Sequence, residues 1–183
     1  TITERGVEIL VEREAAGPAL KHAGPARVEG FKRLLEEMAR LHQVEGSAWH
    51  KPWLLKQGFD DPMDLWGERL ERFRQRITRQ TSGFSAEEID AGLRLTREGL
   101  IRAADSTPVA VHGDVSQNHV HLGPDGSLPW IDLETVHLGR AEEDLAAVAR
   151  MLQGRHFPSF LEVYEAEASR SVDREALRTF LLL

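Results

Sequence analysis

The chain has 183 residues, is 41% hydrophobic and 29% charged, and carries a formal net charge of −7. That is the balance of an ordinary folded protein long enough to bury its own core. No basic stripe offsets the acidity, so nucleic acid is excluded as a general partner, and the sign suits a cationic small molecule better. There are no cysteines, hence no disulfide and no thiolate metal site. With no apolar run of membrane-spanning length and no signal peptide, a cytoplasmic protein without a membrane partner is expected.

In chain order, Val7 to Val11 reads as a short apolar strand, and Ala15-Ala16-Gly17-Pro18 breaks it as a hinge or turn would. From Arg27 to His42, Val28, Phe31, Leu34, Leu35, Met38 and Leu41 recur at helical spacing. Residues 44–62, rich in Gly, Pro and Trp, read as a loop, with Pro62 placed to open the next helix, Met63 to Thr78. Ser85 with Glu88 three residues later is a capping box opening a helix to about Ala104. A β-hairpin region follows over 108–132, then a compact helix from Glu142 to Met151 and two more over 158–168 and 173–182. The fold class is mostly α (α+β), helical with one small hairpin. His22, His42, His50, His121, His137 and His156 show no metal-ligand spacing. Trp49, Trp53 and Trp66 read as core or rim aromatics, and Asp60, Asp61 and Asp64 as a solvated loop running into a helix start.

The chemistry concentrates in the hairpin region. Residues 112–119 read His-Gly-Asp-Val-Ser-Gln-Asn-His, and Asp132 follows thirteen residues after His119 in Trp-Ile-Asp-Leu-Glu. Val120 and Leu122 alternate with His121, Pro124-Asp125-Gly126 turns the chain, and Leu128 to Ile131 returns. Such a hairpin brings Asp132 back beside the loop carrying Asp114. An Asp on a tight loop can take a proton from a hydroxyl, and a second Asp at a strand end can hold Mg²⁺ against a nucleotide phosphate. Phosphoryl transfer needs both within a few ångströms.

These motifs resemble the catalytic half of the aminoglycoside phosphotransferase family, a branch of the protein-kinase-like fold. The resemblance rests on His112-Gly113-Asp114, His119, Ile131-Asp132 with Glu134, and Asp144-Leu145-Ala146, in that order. It extends to Gly6–Leu20 as the last strand of a small lobe and its hinge, and to Leu34–His42 as the helix after it. It implies Asp114 as the catalytic base, and Asp132 with His119 or Asn118 as metal ligands. His112, Glu134 and Asp144 take supporting positions, and the backbone around Glu12, Arg13 and Glu14 is the nucleotide hinge. The wider family places Asn five residues after the catalytic Asp. Here His119 stands there and Asn118 is one residue back, an arrangement similar to the enzymes acting on the two-double-prime hydroxyl of aminoglycosides. His119 is the preferred ligand, although the Asn118 carbonyl oxygen is chemically the better match for magnesium.

The resemblance implies ATP or GTP as donor, Mg²⁺ as cofactor and a small-molecule hydroxyl as acceptor, an aminoglycoside-like compound or another alcohol. Eleven residues separate Asp132 from Asp144, and no Ala-Pro-Glu segment follows. A protein kinase needs a longer activation segment there to seat a peptide. Residues 1–20 are assigned to the end of a small lobe and hinge, and residues 21–183 to the helical catalytic lobe. The chain starts at Thr1, and Lys21, Lys32, Lys51 and Lys56, its only lysines, all follow the hinge-like segment. A nucleotide-covering β-lobe is therefore expected to be missing from this chain. The competing expectation is a kinase-like binding module without catalysis.

Overall fold

The computed structural model describes residues 2–4, 7–9, 17–46, 51–79, 83–152 and 157–182. The hinge assigned to Glu12, Arg13 and Glu14 lies outside the described residues, as do Trp49, His50 and His156. Strands β1 (Ile2–Glu4) and β2 (Val7–Ile9) pair antiparallel, with Ile2 opposite Ile9. The chain then enters the helical body through 3-10 turns at Leu20–His22 and Gly24–Ala26.

Helix α1 (Arg27–Leu41) buries Phe31, Leu34, Leu35, Met38 and Ala39 on one stripe, the spacing that places side chains on a single helical face. Fully burying each large apolar side chain contributes roughly 1.5–3 kcal/mol, so this stripe fixes α1 at the centre of the core. It packs on α6 (Phe157–Ala168), where the rings of Phe31 and Phe160 lie 6.4 Å apart.

The stretch 44–62 is not wholly loop. It contains helix α2 (Lys51–Lys56), whose Leu54 is buried. Pro52, which argued against a helix in the sequence, falls in the first turn of α2, where no backbone N–H is needed. Helix α3 (Pro62–Arg79) follows, and Asp61 Oδ1 accepts the Met63 N–H at 2.6 Å. Asp61 thereby caps a helix start. Helix α4 (Ala86–Ala104) opens on the Ser85–Glu88 capping box. Trp66 of α3 is buried edge-on to Phe180, ring centroids 5.3 Å apart, on α7 (Arg174–Leu182). No helix among the described residues is long and apolar enough to cross a membrane.

The site is placed by a short antiparallel pair. Strand β3 (Val109–Val111) pairs with β4 (His137–Gly139), Val111 opposite His137. The residues after β3 are His112-Gly113-Asp114, and the residue after β4 is Arg140, which leads into helix α5 (Ala141–Met151). Between the strands, residues 119–131 fold back as the expected hairpin. Ile131 N–H donates to His119 O at 2.9 Å and His121 N–H to Pro129 O at 3.1 Å. Only Val120 and Trp130 form a bridge there, because two prolines and a tight turn leave few ladder positions.

Candidate active site

The loop 112–114 is fastened from beneath by Asp144. Its Oδ2 accepts the His112 N–H at 2.8 Å and its Oδ1 accepts the Gly113 N–H at 3.0 Å. His42 Nε2 meets Oδ2 at 3.2 Å, and His42 Nδ1 meets the Tyr164 hydroxyl at 2.9 Å. Burial alone would raise the Asp144 carboxyl. The His42 hydrogen bond and the two loop N–H groups outweigh it and hold the carboxyl below its ordinary value. Burial pushes the Tyr164 phenol up, so it remains an O–H donor. A consistent proton assignment runs from Tyr164 O–H to His42 Nδ1 and from His42 Nε2–H to Asp144. None of these groups reaches solvent: His42 and Asp144 are 1% exposed and Tyr164 0%.

Gly113 adopts φ +81, and a Cβ there would lie 2.7 Å from Thr135 O. Only glycine fits this turn. Thr135 Oγ1 donates to His112 O at 2.8 Å, so the turn after Asp132 clamps the loop from above. His112 is buried. Its Nδ1 accepts the Asp114 N–H at 3.3 Å, which leaves Nε2–H to donate to Ile131 O at 3.2 Å. With both ring nitrogens engaged by backbone, His112 holds the loop and is not a free base.

Asp114, His119 and Asp132 converge, with their ligand atoms all within 4.8 Å of one another. His119 Nδ1–H donates to the Asp114 carbonyl at 2.9 Å. That fixes the tautomer and turns the Nε2 lone pair toward Asp132 Oδ2, 3.5 Å away. Orienting a ligating imidazole through its other nitrogen is the usual support for a metal-binding His. Asp132 stands at φ 64, ψ 50, a left-handed conformation uncommon for residues other than glycine. Such backbone is concentrated at functional sites. Asn118 is exposed, and its N–H donates to Ser116 Oγ at 3.2 Å. Glu134 is exposed in the 3-10 turn Leu133–Thr135.

Beside Asp114 opens a cleft of about 530 Å³ between α3 and α5. Gly113, Asp114 and Val115 form one end, and Arg69, Arg72, Arg76 and Arg150 line its sides. The acids at Asp60, Asp61 and Asp64 do not line it. Glu143, also on its wall, accepts the Arg140 N–H at 3.0 Å. Burial raises the Glu143 carboxyl to about 7, against an ordinary value of 4.5. His42, Tyr164, Glu143 and the four arginines were not singled out from the sequence. Only the helical spacing of Arg69, Arg72 and Arg76 carried a local signal.

A helical lobe whose 112–114 loop is clamped between two short strands and the helix after them is the architecture of the C-terminal lobe of the kinase-like fold. Residues 8–180 match the Phosphotransferase enzyme family, and the chain belongs to that family. Among curated proteins none matches in sequence. Solved structures with this fold include choline kinase LicA from Streptococcus pneumoniae, at 17% identity and TM-score 0.54, covering 85% of this chain and 51% of that one. An aminoglycoside-3'-phosphotransferase of type VIII aligns at 19% identity and TM-score 0.51, covering 92% and 62%. A glucosamine kinase aligns at 15% and 0.51, covering 83% and 46%. The chain thus spans about half the length of these proteins.

Two outcomes follow. Asp144→Ala leaves two loop N–H groups and His42 without their acceptor and should destabilise the fold by roughly 3–5 kcal/mol; a loss under about 1 kcal/mol in urea unfolding would contradict the tether. Glu143 holds its proton in the folded state up to about pH 7, whereas the unfolded chain releases it near its ordinary value. Stability therefore falls as pH rises across that interval. Glu143→Gln should match the parent near the acid end and exceed it at about pH 8 by on the order of 2 kcal/mol, read from thermal unfolding at both pH values.

Proposed function

We propose that this lobe serves a nucleotide-dependent phosphotransferase that moves the γ-phosphoryl group of ATP or GTP to a hydroxyl of a small molecule. The observation that carries the reading is the convergence of Asp114, His119 and Asp132 on one point, above a loop whose backbone is pinned by Asp144. Asp114 is 54% exposed at its side chain, which leaves its carboxylate open to an incoming hydroxyl. Its role is to orient that hydroxyl and take its proton while the acceptor oxygen bonds to the γ-phosphorus and the bond to the nucleoside diphosphate breaks.

His119 Nε2 and the Asp132 carboxylate are the groups that would hold a divalent cation. One is a neutral imidazole with its lone pair freed by the Asp114 carbonyl, and the other a hard oxygen ligand suited to magnesium. When bound, Mg²⁺ draws charge from the phosphate oxygens of the nucleotide. Asn118 is the alternative ligand by chemistry. His119 is favoured because its ring is already oriented toward Asp132. A small acceptor is favoured over a peptide because residues 133–143 are taken up by a 3-10 turn, β4 and the first turn of α5, which leaves no platform for a polypeptide.

In the intact protein, Asp114→Ala should lower turnover by about two to four orders of magnitude with the nucleotide KM nearly unchanged. Steady-state kinetics with a productive acceptor decides it, and a loss below about tenfold takes Asp114 out of the mechanism. His119→Asn should retain substantial activity and His119→Ala should raise the Mg²⁺ requirement, with Asp132→Asn the most severe change because it removes a charge facing the ion. If Asn118→Ala shifts the Mg²⁺ dependence and His119→Ala does not, the ligand is Asn118.

A further inference from the structure

From the charge lining the cleft beside Asp114 we infer that the acceptor is an anionic hydroxyl compound, a polyol carrying a carboxylate or phosphate group, which the arginines of α3 and α5 hold. This rests on the phosphotransferase reading and names the acceptor class for that same site.

Arg69, Arg72 and Arg76 stand at positions i, i+3 and i+7 of α3, which puts them on one face of the helix. Arg150 approaches from α5 on the opposite wall. Some arginines of the lobe are neutralised locally, Arg74 by Asp90 at 3.1 Å and Arg40 by Glu167 at 3.1 Å. What sets the cleft arginines apart is that four of them face one space beside Asp114. Among the described residues, Arg69, Arg76 and Arg150 form no ion pair within 4.0 Å, and only Arg72 has one, with Glu68 on its own helix. Arg76 lies over the Phe73 ring, 5.5 Å from its centroid. Arg150 Nη1 donates to Phe180 O at 3.0 Å. Burial lowers the Arg150 guanidinium, and the positive charge of Arg69 lowers it further. Glu143 is the acid of this wall that the Arg69 charge reaches, but burial raises its carboxyl to about 7, so it offsets the two cations incompletely and an oxyanion between them would relieve the remaining repulsion.

The cleft lies on the acceptor side of the base. It includes Gly113, Asp114 and Val115, whereas His119 and Asp132 are not part of it. A nucleotide held at the metal residues and an acceptor in the cleft would meet across the Asp114 carboxylate. About 530 Å³ suits a ligand of monosaccharide to disaccharide size. Guanidinium forks match carboxylate and phosphate oxygens bidentately. An aminoglycoside or another polyamine would place ammonium groups against four guanidiniums, a like-charge contact that costs affinity.

The test uses the intact protein and four sugars that differ in charge: glucuronate, glucose 6-phosphate, glucose and glucosamine. Phosphoryl transfer is followed with ATP·Mg²⁺ and GTP·Mg²⁺, and binding of inorganic phosphate and of each sugar is measured by calorimetry without nucleotide. The expected result is binding of inorganic phosphate and of at least one anionic sugar, with kcat/KM for that sugar at least about tenfold above glucose and glucosamine lowest. Which anion is preferred separates a carboxylate acceptor from a phosphate one. Arg69→Gln and Arg150→Gln should raise the acceptor KM about tenfold and leave the nucleotide KM within about twofold, and Arg69→Lys should recover part of the loss. Circular dichroism melts confirm that the variants fold. Asp114-dependent transfer to glucosamine or glucose that Arg69→Gln does not affect would overturn the acceptor class and keep the phosphotransferase reading. Arginine-dependent anion binding with no transfer to any sugar, indifferent to Asp114→Asn, would sink the phosphotransferase reading and with it the acceptor role. Failure of inorganic phosphate to bind in an arginine-dependent way overturns the inference directly.

Discussion

The buried carboxylate of Asp144 takes the N–H groups of His112 and Gly113 on its two oxygens, and the geometry of the active loop depends on that arrangement. A tight turn with φ +81 at Gly113 cannot satisfy its own backbone donors, and unsatisfied buried donors cost about 1–3 kcal/mol each. Asp144 supplies both acceptors from a rigid helix. His42, held in place by Tyr164, in turn stabilises the carboxylate against the upward push of burial. The relay draws on α1, α5 and α6, the elements that form the centre of the core. The stability of the core and the position of Asp114 are therefore one constraint.

What could be read along the chain was what is encoded locally. His112-Gly113-Asp114, His119 and Asp132 lie within one hairpin's length of each other, so spacing and turn chemistry were enough to bring them together. Helices α1, α3 and α4 were legible because their apolar stripes and the Ser85–Glu88 box are local signals. Helix α2 was not, because Pro52 and the neighbouring Trp and Gly residues read as breakers unless the burial of Leu54 is known. His42 was set aside for lacking ligand spacing. Its partners Asp144 and Tyr164 are 102 and 122 residues away, and no periodicity encodes a contact of that range.

The choice between His119 and Asn118 shows a different limit. Both residues are adjacent in sequence, and ligand chemistry alone favours the amide oxygen. The observation that favours His119 in the proposed reading is a hydrogen bond from its Nδ1 to the Asp114 carbonyl, which exists only once the loop is folded. That bond couples the backbone of Asp114 to the orientation of the His119 nitrogen facing Asp132, so the two halves of the site are set by the same backbone group.

Net charge does not describe the space beside Asp114, because fields in a cleft are local. A chain with net charge −7 turns three arginines of α3 and one of α5 toward the space beside Asp114. The spacing of Arg69, Arg72 and Arg76 puts them on one helical face, a signal the sequence reading passed over, and which way that face points is decided by Trp66 docking edge-on to Phe180. Helix α5 joins the loop and the cleft. Its first turn carries Asp144 under the loop, and its Glu143, Ala147 and Arg150, spaced at i, i+4 and i+7, line the cleft. A single rigid helix thus fixes the distance between the tethered loop carrying Asp114 and the Arg150 guanidinium, the kind of preorganisation the proposed in-line transfer would draw on.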